Sequence, residues 1–440
     1  MGFIQTVKNI WSVEDLRKRI GITLLLVIIY RFGCYVVLPG IDPNELMALK
    51  DFTKDGLMQL LDMFSGGAFA QASIFALGIM PYITASIVIQ LLGMVLPAFQ
   101  KMQREGESGR MKMNQYTRYL TVLILLVQGP AYLLNLKYQV MSAGGNVELG
   151  FWTIAYMTII LAAGSMFIMW LGERIDQKGI GNGISFIILV GIIARLPQAF
   201  IQEFTGRLLN SEAGGLIVFL VEIIILLAVI AGAVLLVQGT RKVPVQYAKR
   251  IVGNKQYGGA RQYIPLKVNA AGVMPIIFAQ AIMFIPITLT GFTGGESAVA
   301  RAFTDMYGFW YNLVYFLMIV AFTYFYTAIT VRPAQMAEDM KRNNGFIPGV
   351  KPGKSTVTYI DNIITRITLP GSIFLAIVSI LPALAMKFLG VQQAFAYFYG
   401  GTSLLIMVGV VLDTLQQIES HLLNRHYDGL MKTGRIQGRR

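Results

Sequence analysis

Enzymatic chemistry needs side chains that move protons, attack electrophiles or hold metals, and this sequence places few of them where they would serve. The only histidines, His421 and His426, lie beyond the last apolar stretch and too far apart for an i, i+4 zinc pair. No histidine is therefore available as a general base within the apolar body. Gly106-Glu-Ser108-Gly109 resembles an intramembrane serine-protease motif, but it sits in a basic loop without a histidine to activate the hydroxyl, so a turn is expected there. Gly349-Val-Lys-Pro-Gly353-Lys354-Ser355 approximates a phosphate-binding loop; Pro348 stands where its first glycine belongs, and Pro352 removes one of the backbone N–H groups that would cradle a phosphate. A single cysteine, Cys34, excludes an intrachain disulfide or a Cys-rich metal site and is expected only to pack. The reading is of a non-enzyme with no catalytic, cofactor-binding or metal-ligating set.

Ion-coupled transport would demand acidic groups near the middle of a membrane. Glu173, Asp413 and Glu419 fall near the ends of apolar stretches, and Glu222 lies roughly two turns inside one, with no obvious partner. Arg31 and Arg195 are expected to snorkel towards an interface. Glu222 keeps an inverted-repeat secondary transporter open as the alternative function.

The elements that would carry any function are apolar. Hydrophobic residues make up 55% of the 440-residue chain and charged residues only 14%, a balance that belongs in a bilayer. Apolar windows at about 20–38, 73–95, 118–136, 151–171, 183–202, 215–238, 269–290, 308–330, 368–389 and 399–419 are each long enough to cross it as a helix. The expected fold is an all-α polytopic membrane protein, ten transmembrane helices in two inverted five-helix halves, 20–202 and 203–420. Residues 1–19 read as a cytoplasmic amphipathic helix rather than a cleaved signal, because Glu14 and Asp15 interrupt the basic residues and no small-residue cleavage site follows. Most Lys and Arg fall before the first window, in 96–117, 172–182, 239–268 and 331–367, and in the tail 421–440, whereas the first alternate loop is acidic through Asp42, Glu45, Asp51, Asp55 and Asp62. The positive-inside rule then places both termini in the cytoplasm and accounts for most of the net charge of +14.

Symmetry between the halves is legible as a repeat. Phe75-Ala-Leu-Gly78-Ile-Met80-Pro81-Tyr-Ile83-Thr-Ala85 aligns with Asn269-Ala-Ala-Gly272-Val-Met274-Pro275-Ile-Ile277-Phe-Ala279 in the second span of each half. Proline within each copy is expected to interrupt the helix and let it hinge. Just before the first copy, the amphipathic segment from Gly56 to Phe64, ending at Ser65-Gly66-Gly67, is too short to cross and reads as a re-entrant stopper or a surface helix.

Two basic loops exceed what topology requires. Residues 241–267 hold Arg241, Lys242, Lys249, Arg250, Lys255, Arg261 and Lys267 with no acid, interleaved with Tyr247, Tyr257 and Tyr263. Residues 331–367 add an arm punctuated by Gly and Pro. Such surfaces suit ribosomal RNA or an acidic protein.

These features, with Met63-Phe-Ser-Gly-Gly-Ala68, Ala72 to Ile83, Glu105-Gly-Glu-Ser-Gly-Arg110, Gly179-Ile-Gly-Asn-Gly-Ile-Ser185, Pro265-Leu-Lys-Val-Asn269 and Gly400-Gly-Thr-Ser-Leu-Leu-Ile406 in order, resemble the SecY family of translocon channel subunits over the whole chain. The resemblance implies a protein-conducting channel of the bacterial inner membrane that passes unfolded preproteins and releases hydrophobic helices sideways into membrane lipid. It implies a pore ring of Ile79, Ile83, Ile184, Ile188, Ile277 and Ile406, an apolar constriction that blocks ions when empty. It assigns 56–70 to a plug, including Leu57, Leu60, Leu61, Met63, Phe64, Ser65, Gly66 and Gly67, and Thr84, Gln128 and Asn269 to a lateral gate. Implied partners are SecE- and SecG-like small membrane subunits, signal sequences, and the SecA motor or the ribosome, the last two docked through Lys249, Arg250 and Lys351. Lys351 departs from the family's usual arginine, which keeps the charge but loses a planar bidentate fork.

Overall fold

The computed structural model describes residues 11, 13–41, 62, 65–142, 150–209, 215–247, 250–252, 255–257, 261–280, 282–283 and 308–433. Its helices are α1 (Glu14–Gly33), α2 (Met80–Val95), α3 (Pro97–Arg104), α4 (Glu107–Ser142), α5 (Phe151–Lys178), α6 (Gly183–Leu209) and α7 (Gly215–Gln238), followed after a β region by α8 (Phe309–Thr330), α9 (Pro333–Arg342), α10 (Lys354–Leu389), the short α11 (Gln393–Ala396) and α12 (Gly401–Thr433). Among the described residues seven helices are long and apolar enough to cross a membrane, and an eighth if the bent pair α2–α3 forms one span. The other two expected spans correspond to α1, which carries Arg17, Lys18, Arg19 and Arg31, and to the stretch helical at 274–280 and 282–283. The helical class read from composition holds.

The boundaries of the second and seventh windows differ from the expectation, for one reason. Residues 74–79 and 268–273 run in turns, and helix begins only at Met80 and at residue 274. Gly78 and Gly272 both have positive φ, +56° and +63°, so each repeat copy contains a left-handed residue just before its helix. Pro81 and Pro275 therefore occupy the first helical turn, where a missing N–H has no intrahelical acceptor to lose. They start helices instead of loosening them. The repeated Gly-x-Met-Pro is a helix-initiation signal.

The chain divides into two compact units, Met1–Ile201 with Val410–Arg440, and Gln202–Gly409. In the first, Leu38, Phe69, Ala72, Tyr132, Leu133, Met157 and Leu161 share a core built from α4, α5 and the non-helical segment preceding α2. In the second, the two basic loops are not loops. Residues 240–267 contain β1 (Thr240–Tyr247), β2 (Arg250–Val252), β3 (Lys255–Tyr257) and β4 (Arg261–Lys267), and β5 is Gly345–Phe346. A three-stranded sheet of order β4-β1-β5 pairs β1 antiparallel with β4, from Thr240↔Lys267 to Gln246↔Arg261, and with β5 at Gln246↔Phe346. Pro244 is tolerated in the central strand because β5 reaches only as far as Gln246, leaving β1 an edge at that point. Val243, Val245, Leu266, Ala337, Met340, Ile347 and Ile360 pack into one small core. The alternating apolar positions of β1 face α9 and the start of α10, so both basic segments belong to one body. The arm 345–356 is correspondingly short: Gly345–Phe346 is strand, and α10 is under way from Lys354.

Candidate functional site: a buried, tethered plug segment

Residues 65–79 contain no helix, yet most of them are buried among α1, α4, α5 and α6. A non-helical backbone inside a membrane protein must have its polar groups satisfied by protein. The tethers come from every side. Tyr30 Oη donates to the Ser65 carbonyl at 3.2 Å and Arg31 Nη1 to the Gly66 carbonyl at 2.8 Å, both from α1. Tyr132 Oη, from α4, donates to the Phe69 carbonyl at 2.9 Å. Asp62 accepts from the Ala70 amide at 2.8 Å through Oδ1, while its Oδ2 pairs with Arg195 of α6. Ser65 Oγ donates to the Asp62 carbonyl at 3.1 Å and accepts from the Phe69 amide at 3.0 Å, closing the turn internally. The end of α1 forms a bridge to the segment, with Ile74 N donating to Val36 O and Leu38 N to Ala72 O, each 2.9 Å.

Two glycines make this approach possible. Gly66 has φ +66° and lies so close to α6 that an added Cβ would sit 2.9 Å from the Gly191 Cα. Gly67, at φ +96°, would bring a Cβ to 3.0 Å from Arg195 Nη2. Each needs the left-handed conformation and the space that only glycine provides.

Of the expected plug residues, Ser65, Gly66 and Gly67 form the tethered turn, and Leu57, Leu60, Leu61, Met63 and Phe64 lie outside the described residues. Ile79 is buried at the N-cap of α2 and Ile83 is half-buried in its first turn. Ile184 and Ile188 occupy the first turns of α6; a Cβ on Gly172 would meet Ile184 Cγ1 at 3.0 Å, so Ile184 leans on α5. Ile277 is half-buried in helix 274–280 and Ile406 is buried in α12. Thr84 hydrogen-bonds back to Met80 O at 3.1 Å, and Gln128 is exposed on α4. Asn269 is buried, and its Oδ1 has no hydrogen-bond partner among the described residues. Lys351 is exposed in the turn before α10, where its carbonyl accepts from Thr356 Oγ1 at 2.9 Å. Arg250 lies in β2, and Lys249 is outside the described residues.

The family model for SecY matches residues 73–415. The chain belongs to the SecY family. It is similar to the protein translocase subunit SecY of Halalkalibacterium halodurans, 43% identical over 97% of this chain and all of that one. That of Corynebacterium glutamicum is 41% identical over 98% of this chain and all of its own length. The fold resembles a solved structure described as that of a protein conducting channel, with a TM-score of 0.64 and 18% identity, covering 96% of this chain and 95% of that one. Another, described by a plug domain that stabilises the closed state of the translocation channel and maintains a membrane seal, gives a TM-score of 0.59 at the same identity and coverages. As a SecY-family protein, the chain is a membrane-embedded, protein-conducting channel subunit.

Within this SecY-family fold, sequence reasoning missed the groups that hold the plug region. Arg31 and Arg195 do not snorkel: one caps a plug carbonyl and the other neutralises Asp62. Asp62 reads in the sequence as one more acid in an acidic loop, but it is 7% exposed. Glu222, which lacks an obvious partner in the sequence, has one. Arg207, expected in a loop, lies in α6 and donates to Glu222 Oε1 at 2.6 Å, to Glu203 Oε1 at 3.0 Å, and to the carbonyls of Leu389 and Gly390, each at 2.9 Å. Glu203 Oε2 accepts from the Gln392 amide at 2.9 Å. Glu222 is thus part of a structural ion cluster rather than a lone acid for ion coupling, which removes the main support for a transporter.

Proposed function

We propose that this chain forms the polypeptide pathway of a bacterial inner-membrane translocon, with both termini cytoplasmic, and that residues 56–70 close it as a plug at rest. The observation carrying this reading is the buried, non-helical 65–79 segment, held by single side chains that release without unfolding a helix. An entering signal sequence would displace the segment, and the lateral gate carrying Thr84, Gln128 and Asn269 would let apolar helices leave into lipid. Asn269, with its unpartnered buried carbonyl oxygen, is suited to exchanging partners as such a seam opens. The six isoleucines Ile79, Ile83, Ile184, Ile188, Ile277 and Ile406 would form the apolar constriction. β-branched side chains are stiff and offer no hydrogen bond to water, so an empty ring dewets.

The ring reading is tested by Ile83→Ser with Ile188→Ser. Ion conductance of reconstituted channels without substrate is expected to rise, and preproteins with weak signal sequences to cross more readily, because the closed state has lost apolar surface. Normal insertion with wild-type conductance and unchanged signal requirement would remove the ring assignment.

For partners, the family resemblance and the surplus of basic charge favour SecE- and SecG-like subunits in the membrane and SecA or the ribosome on the β1–β5 body. Lys249→Glu with Arg250→Glu is expected to weaken SecA or ribosome binding by at least about tenfold at moderate salt. Reversing charges that release counterions should also change the salt slope. Binding curves that superimpose on wild type across a salt series would show that these charges serve topology alone.

A further inference from the structure

Between α4 and α5, away from the plug, lies a cavity of about 260 Å³ lined by Arg118, Trp170, Glu173, Arg174 and Gln177. Its position follows from the sequence of both walls. On α5 the apolar run Phe151–Leu171 gives way at Gly172 to Glu173, Arg174, Asp176, Gln177 and Lys178; on α4 the polar start through Arg118 gives way at Leu120 to Thr-Val-Leu-Ile-Leu-Leu-Val. The two helices thus change from polar to apolar at the cavity, which marks the membrane–water boundary. Trp170 is 43% exposed there and Phe167 40%, stacked on each other at 5.7 Å, an aromatic pair at the depth where such rings anchor in lipid headgroups.

The charges are partly prepaired. Arg118 forks onto Glu173, with Nε 3.2 Å from Oε1 and Nη2 2.7 Å from both carboxylate oxygens. This leaves its Nη1 hydrogens outside the pair. Arg174 lies over the Trp170 ring at 5.3 Å and spends one of its five donors on Gln177 Oε1 at 3.3 Å. Two guanidinium groups against one carboxylate give the cavity a net positive charge, with Gln177 as a further donor. A water occupies about 30 Å³ of liquid, so the space admits a tetrahedral phosphate group and several waters. Planar guanidinium forks match phosphate oxygens.

We propose that this cavity binds the phosphate of an anionic phospholipid headgroup, with Arg174 and Arg118 on the phosphate oxygens and Trp170 against the glycerol and upper acyl region. Free phosphate shares the anion chemistry but not the tail, and the exposed aromatic pair favours the lipid.

Full-length protein in detergent is incubated with phosphatidylglycerol, with phosphatidylcholine, or with phosphatidylglycerol plus excess inorganic phosphate, and retained lipid is counted by native mass spectrometry. Wild type is expected to retain phosphatidylglycerol over phosphatidylcholine, with phosphate displacing little of it. Arg174→Gln is expected to reduce that retention at least fivefold. Arg118→Gln with Glu173→Gln, which removes the guanidinium without stranding a carboxylate, should reduce it as well, and Trp170→Leu should weaken retention of both lipids. Each variant's thermal melt reports folding, and the three perturb the cavity in different ways, so misfolding of one leaves the others decisive. Undiminished phosphatidylglycerol retention in folded Arg174→Gln would overturn the proposal. So would displacement of the lipid by inorganic phosphate, which would make this a free-phosphate site.

Discussion

Replacing Arg195 by leucine is expected to make the resting channel leak. Asp62 is almost fully buried, and its carboxylate both accepts the Ala70 amide and faces the Arg195 guanidinium. Removing one partner of a buried pair strands the other, and full burial would make that a loss of roughly 3–5 kcal/mol. The Arg195 side chain remains 30% exposed, so solvent screening brings the expected figure to about 2 kcal/mol. At 1.4 kcal/mol per decade this is roughly a 30-fold shift of the closed-to-open ratio. Planar-bilayer conductance in the absence of substrate should rise accordingly. Asp62→Asn added to Arg195→Leu removes the stranded charge while keeping the oxygen that serves Ala70, and should recover part of the seal. Because Asp62 belongs to the same turn as Ser65 and Gly66, the pair is a latch on the segment and not a general brace. Background conductance in Arg195→Leu would assign closure to the remaining tethers, Tyr30, Arg31 and Tyr132.

What the sequence displayed well were features with a period or a count. Ten apolar windows, the asymmetry of Lys and Arg, and Gly78-Ile-Met80-Pro81 repeated at Gly272-Val-Met274-Pro275 each follow from local composition, and the helical class came from them. The plug's surroundings were not displayed, because carbonyl capping by Tyr30, Arg31 and Tyr132 depends on partners distant in the chain. An arginine in an apolar window has two outlets, an interface or a buried acceptor, and nothing local chooses between them. A usable signal did exist. Arg31 and Arg195 are basic residues within predicted spans, Asp62 is the acid nearest Gly66-Gly67, and a glycine pair admits close approach of a backbone.

The cytoplasmic side offers a second case of the same limit. Residues 241–267 read as a charged loop because Arg, Lys and Tyr dominate, yet Val243, Val245 and Leu266 alternate with them and face inward. Three apolar residues spread over so long a stretch give a weak period-2 signal, and the strand becomes evident only with Ile347 and Ile360 supplied from beyond α8. Joining both basic segments on one sheet has a functional consequence: Lys242 on β1 and Lys351 in the turn beyond β5 are presented by one rigid body. A docking partner would meet a preformed surface and have less loop entropy to overcome.

Arg207→Met is expected to have the largest effect on stability of any single change in the second unit. Glu222 is fully buried, Glu203 1% exposed and Arg207 7% exposed, so this cluster has almost no solvent to compensate a lost partner. One guanidinium holds two carboxylates and two backbone carbonyls at the Leu389–Gly390 turn, where Gly390 adopts φ +63° to leave α10. Methionine fills much of the volume but leaves two buried acids and two carbonyls without their donor, a loss of roughly 3–5 kcal/mol or more. Insertion would yield less folded protein, and thermal melts in nanodiscs should fall by many degrees. Adding Glu203→Gln and Glu222→Leu to Arg207→Met is expected to recover much of the stability, because the cost lies in unpaired charge and not in the missing ion pair itself. The turn after α10 would still lack its capping donor, so recovery should be partial and exchange of the Gly390 and Val391 amides with deuterium faster than in wild type. If Arg207→Met melts with the wild-type protein, the cluster contributes nothing to the fold, and Glu222 returns to consideration as an ion-coupling acid.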